Sequence, residues 1–203
     1  MKKIDTLLIT GLFATLLLAG CGGESKRDNG GSYSEGGASN IPYLKQNHAN
    51  YKQDGSNLTP APTKDASKMS IDWTIEANSN EAATKLADHI RFMESKLLAD
   101  QNPRAFDKLF LMEAYMKYHG YYTTSVEQSG KSVVVSKQAN NGCAYRVIAA
   151  HSDAVSGDFF ARGDITKDYS STAEAILNSS DCSSLKSDIE SYISQRQKHR
   201  GRM

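Results

Sequence analysis

Apolar periodicity in this chain starts abruptly at Ile71. Ile71, Trp73, Ile75 and Ala77 alternate with Asp72, Thr74 and Glu76, the period-two pattern of a strand buried on one face. That alternation marks where a folded domain begins. From Gly22 to about Met69 the chain holds seven of its fifteen glycines and three of its four prolines, with no apolar period, so this stretch reads as a disordered tether. A flexible linker of that size spans roughly 35 to 40 Å. Two islands within it, Ile41-Pro42-Tyr43-Leu44 and Asn47-His48-Ala49-Asn50-Tyr51, read either as sparse linker residues or as docking motifs.

After the strand, Asn78 or Ser79 can cap a helix in which Ala83, Leu86, Ile90, Met93 and Leu97 recur at three- and four-residue steps as far as Asn102. Pro103 suits the start of a second helix capped by Asn102, carrying Phe106, Leu109, Phe110, Glu113, Tyr115 and Met116 and closing at Gly120, which predicts a helical hairpin. A β-meander is expected next. Its strands are Tyr121 to Glu127, Ser132 to Lys137 with a Val133-Val134-Val135 core, and Cys143 to Ala150 after a turn at Asn141-Gly142. His151 to Tyr169 reads as a long, partly packed loop or a broken strand pair. Thr172 to Leu177 predicts a short helix, and Leu185, Ile189, Tyr192 and Ile193 a terminal one capped by Ser183 or Ser184. The expected fold class is α+β: one domain over 70–195, then a basic tail over 196–203.

The N-terminus follows a different logic. Met1-Lys2-Lys3 precedes an apolar run from Leu7 to Leu18, then Leu18-Ala19-Gly20-Cys21. A basic start, a short apolar stretch and small residues before a cut site form a secretory signal, so residues 1–20 are set aside from fold reasoning. The run is also shorter than the roughly 20 apolar residues of a spanning helix. Leu18-Ala19-Gly20-Cys21 resembles the lipobox of bacterial lipoproteins. The resemblance implies a diacylglycerol thioether on Cys21, cleavage before it and acylation of its freed amine. Two or three acyl chains hold almost permanently where one holds marginally. Gly22 and Gly23 follow where an aspartate would favour the inner membrane, so the resemblance implies an outer-membrane anchor.

Without Lys2, Lys3 and Asp5, the 24 basic and 23 acidic residues balance, and the mature chain is formally neutral. Such a balance offers no field to recruit nucleic acid. The local exception is the C-terminus, where Arg196, Lys198, Arg200 and Arg202 surround His199. With Cys21 assigned to lipid, Cys143 and Cys182 are an even pair in an exported chain and are expected to form a disulfide.

Candidate chemistry is sparse. His151-Ser152-Asp153 holds the side-chain types of a serine hydrolase, but neighbours in sequence cannot act in series as nucleophile, base and orienter. There is no Gly-x-Ser-x-Gly elbow either. His89, His119 and His151 lack the spacing of a helical zinc site, and Asp153, Asp158, Asp164 and Asp168 lack that of an EF-hand. Arg162-Gly163-Asp164 is an integrin-recognised tripeptide, but three residues are a weak signal and a Gly-centred turn suffices. The strongest binding-patch candidate is Tyr115, Tyr118, His119, Tyr121 and Tyr122, since tyrosine pairs an apolar face with a hydroxyl and such clusters hold sugar rings or peptide strands. The expectation is a non-enzymatic domain without metal or cofactor that binds an envelope protein or peptidoglycan. An assembly accessory similar in architecture to pilotins stands second, and a small envelope hydrolase third.

Overall fold

The computed structural model describes residues 61–101, 107–160 and 167–200. An antiparallel sheet of order β1-β2-β4-β3 is built from β1 (Thr63–Asp65), β2 (Ser70–Glu76), β3 (Tyr122–Ser129) and β4 (Ser132–Ala139). The alternation of β2 holds: Ile71, Trp73 and Ile75 point inward, while Asp72, Thr74 and Glu76 face solvent. Register carries that inward face across the sheet, with Trp73 opposite Val135 and Val135 opposite Val126. Lys137, opposite Ile71 and Thr124, falls on the same inward face. Val134, expected in the core, faces outward, because a strand sends alternate side chains to opposite faces. Gly130 takes φ +58° in the two-residue turn between β3 and β4, a conformation glycine adopts without strain. β1 lies inside the stretch read as tether, where it pairs with β2 and Lys64 reaches Asp153.

The helices cover the inward face. α1 (Asn80–Leu98) is capped by Ser79, whose hydroxyl accepts from the Ala82 amide. α2 (Lys108–Tyr118) is capped by Asp107 rather than Asn102; residues 102–106, Pro103 among them, lie outside the described residues. From Leu109 to Lys117 only Phe110 escapes full burial, so α2 is the central helix, packed against α1 and the later helices. It ends as the sequence predicts: Gly120 takes φ +71°, its amide bonds Lys117 O, and the Tyr121 amide bonds Met116 O.

The third meander strand does not form. Gly142–Ala154 is a helix, α3, capped by the Asn141 side chain, which accepts from the Ala144 amide at 2.9 Å. Asn-Gly serves both a hairpin turn and a helix start. Here the helical spacing of Cys143, Val147 and Ile148, all buried, decides for the helix. A π-helical turn, Val155–Phe160, continues α3 through part of the predicted loop. α4 (Ser170–Leu177), a 3-10 turn (Ser180–Cys182) and α5 (Lys186–Arg200) complete the fold, so the basic residues Arg196 and Lys198 are helical.

Cys143 and Cys182 are bonded and fully buried, joining the start of α3 to the 3-10 turn. They lie 39 residues apart, and closing such a loop stabilises the fold by about 4 kcal/mol in the chain-entropy model. Replacing both cysteines by alanine is expected to cost about that amount in urea unfolding followed by Trp73 fluorescence.

Candidate functional site

Two side-chain assemblies stand out, one inside the domain and one on its surface. The inner one centres on Glu113, which is 2% exposed in the middle of α2. One carboxylate oxygen accepts from Lys137 at 2.6 Å and from the Tyr122 hydroxyl at 3.1 Å. The other lies 3.0 Å from His151 Nε2. Glu94 of α1 extends the network, pairing with Lys117 at 2.6 Å and Lys137 at 3.4 Å and accepting from the Thr124 hydroxyl at 2.9 Å. Both lysines also lie near the Tyr122 ring, at 4.8 and 5.1 Å from its centre.

Burial alone would raise the Glu113 and Glu94 carboxyls. The charges facing them outweigh it, so both sit below the ordinary value. Burial likewise opposes charge on Lys137, yet Glu113 and Glu94 raise it overall. Removing one partner from such a network strands a charge in the core, which costs about 3–5 kcal/mol. This assembly joins α1, α2, α3, β3 and β4, and its members are engaged with one another. The sequence held its signal: Glu113 interrupts an apolar helix, and the alternation Val133, Val135, Lys137, Ala139 places Lys137 inward.

The outer assembly contains four of the five predicted patch residues. Tyr115 is its buried base at 5% exposure, with ring centres 4.4 Å from His119 and 6.1 Å from Tyr121. Tyr118 is 51% exposed and meets His119 edge-on at 83° and 5.2 Å. Tyr122, expected in the patch, instead points into the core toward Glu113, because it opens the inward row of β3. Sequence reasoning missed Tyr192 of α5, whose ring centre lies 5.4 Å from that of Tyr115. The Tyr192 hydroxyl donates to Asp100 at 2.6 Å, burial pushes its pKa up to about 12, and the Arg196 guanidinium lies 5.1 Å above its ring while pairing with Asp100. Asp100 takes φ +58° just past the Ala99 cap, where the Gln101 amide bonds Lys96 O and closes α1 in the left-handed turn common at helix ends.

The other candidates disperse. Ser152 donates to Ala149 O and Asp153 pairs with Lys64, so His151-Ser152-Asp153 does not form a triad. Asp158 pairs with Lys167 and accepts from the Tyr169 hydroxyl, and Asp168 accepts from Ser170. Arg162-Gly163-Asp164, Cys21 and Arg202 lie outside the described residues. Among the described residues no group of three or more His, Cys, Asp and Glu is placed to hold a metal, and no helix is long and apolar enough to cross a membrane. A groove of about 630 Å³ between α2, α4 and α5 has Met112, Leu177 and Ile193 in its floor and Lys108, Glu174 and Lys198 on its rim.

Comparison with protein-family models, with curated proteins and with solved structures finds no match for this chain.

Two predictions follow the core and surface assignments. Tyr122→Ala is expected to lose about 3 to 5 kcal/mol, while Tyr118→Ala leaves the melting temperature nearly unchanged; urea unfolding of both variants checks the contrast. Acid is expected to weaken the domain in two stages. Burial lowers His89 from 6.5 to about 4, so the unfolded chain takes up its proton first and stability falls as pH drops below 6.5. Glu113 and Glu94, lowered from 4.5, add a second loss as pH falls below that value. Melting temperatures across pH should show both stages, and His89→Leu should remove only the first.

Proposed function

We propose that this chain is an outer-membrane-anchored lipoprotein whose domain binds another envelope component, without catalysis, through the surface of Tyr118, His119, Tyr121 and Tyr192. The observation that carries the reading is the exposed Tyr118 ring standing against a fixed aromatic base. A half-exposed tyrosine on a rigid support offers contact area at low entropic cost. The lipobox-like Leu18-Ala19-Gly20-Cys21 supports the anchor, and the Gly- and Ser-rich segment after it supports a tether between membrane and domain. The engagement of Glu113, Glu94, Lys117 and Lys137 with one another favours a structural part for the titratable core over an acid–base one.

The assembly-accessory reading draws on one further observation, the apolar-floored groove between α2, α4 and α5. A helical segment of a machine subunit would suit it. Substitution separates the two surfaces. Loss of partner capture in Leu177→Glu but not in Tyr118→Ala selects the groove, and the converse selects the aromatic surface.

Cys21→Ser is expected to move the protein from the membrane pellet to the soluble fraction. Sedimentation of the variant with salt-washed membranes would refute the anchor.

A further inference from the structure

We propose that Asn141-Gly142 is a latent modification site, an asparagine primed for deamidation that the folded domain holds shut. The pair stands between the end of β4 and the first turn of α3, directly before Cys143. Its chemistry needs only water. The Gly142 amide nitrogen gives up its proton and bonds to Asn141 Cγ, the Cγ–Nδ2 bond breaks, and Nδ2 departs with that proton as ammonia. Water then opens the succinimide at either carbonyl and leaves aspartate or isoaspartate. Glycine in the second position favours ring closure, because without a Cβ its nitrogen is unhindered and its backbone turns freely.

The junction calls for both residues on structural grounds. Asn141 caps α3, with Oδ1 accepting from the Ala144 amide at 2.9 Å and Nδ2 donating to Asn140 Oδ1 at 3.0 Å. A Cβ at position 142 would lie 3.2 Å from Asp181 Cβ and Cγ, tight enough to displace a side chain that Arg146 holds in an ion pair. Cap and packing together select the reactive dipeptide.

The same contacts oppose the reaction. Ring closure needs Asn141 Cβ nearly eclipsed with the Gly142 nitrogen about the Cα–C bond, whereas ψ 163° holds the two well apart. Turning Asn141 toward closure therefore breaks the cap. The frame around it is fixed on both sides. Asn140 is tied to the end of α2, its amide donating to Tyr121 O at 3.0 Å and its side chain to Gly120 O at 3.1 Å. On the other side Cys143 is buried and bonded to Cys182, which limits how far the first turn of α3 can fray. Deamidation thus becomes a lasting mark of an opened junction. Aspartate still caps a helix, but isoaspartate lengthens the backbone by a methylene and loses the cap.

The test incubates the full mature chain in detergent, disulfide intact, in mildly alkaline buffer with and without urea. Mass spectrometry follows the amide-to-acid change, with fragmentation separating Asn141 from Asn140 and Gln138. The folded chain should react about a hundredfold more slowly than the unfolded one, as expected where reaction waits on local opening. Equal rates overturn the proposal. Asn140→Ala removes the acceptor for Asn141 Nδ2 and the bond to Gly120 O while leaving the disulfide, so it should speed the folded chain about tenfold at nearly unchanged melting temperature. An unchanged rate shows that these contacts do not hold the site shut, and overturns the proposal as well. Asn141→Asp has no amide to lose and should abolish the main mass change; persistence of that change places deamidation elsewhere in the chain and refutes the assignment.

Discussion

Burying the Glu113 carboxylate at the centre of α2 is the constraint around which the rest of the domain is arranged. An unpaired carboxylate there would cost several kcal/mol, so the fold must deliver cations and donors to that point. It does so from three directions, with Lys137 from the sheet, Tyr122 from the start of β3 and His151 from α3. A one-residue slip of β4 would turn Lys137 outward and leave Glu113 without its nearest cation, so the network penalises wrong registers. An apolar replacement of matching volume could be as stable but would lose that discrimination.

The disulfide complements the network at the other side of α3. Glu113 and His151 tie the C-terminal half of α3 to α2, while Cys143 ties its first turn to the 3-10 turn before α5. Arg146 pairs with Asp181 beside the bond and adds a surface contact, though an exposed pair of this kind contributes at most about 1 kcal/mol. α3 is thereby held at both ends, and the π-helical turn that follows begins from a fixed position.

Charge and aromatic side chains are divided between interior and surface. The inner lysines and carboxylates neutralise one another, whereas the tyrosines at the end of α2 and midway along α5 keep one ring, Tyr118, open to solvent. The division turns on a single step of sequence. Tyr121 lies half-buried beside the exposed His119, and Tyr122 lies inside with Glu113, because β3 begins there and alternates. Asp100 then brings α5 to the outer group, so the proposed binding surface depends on a contact between residues 92 positions apart.

Much of the fold was legible locally. The alternation from Ile71 to Ala77, the Ser79 cap, the Gly120 stop and the α+β class all come from short-range backbone preference, which a few neighbouring residues suffice to set. The disulfide was expected from an even pair of cysteines left once Cys21 is read as a lipid site, and Cys143 and Cys182 are bonded. What the sequence left open was decided by tertiary contact. Asn141-Gly142 is compatible with a turn or a cap, and burial of Cys143, Val147 and Ile148 against the core selected the helix. Glu113 and Lys137 were visible as polar residues at inward positions, but only the packing of α2 on β4 made them a pair, and only the return of α5 added Tyr192 and Arg196 to the aromatic surface. Periodicity reports which side of an element faces inward; which elements then meet is set by the energy of the assembled core, to which residues far apart in the chain contribute together.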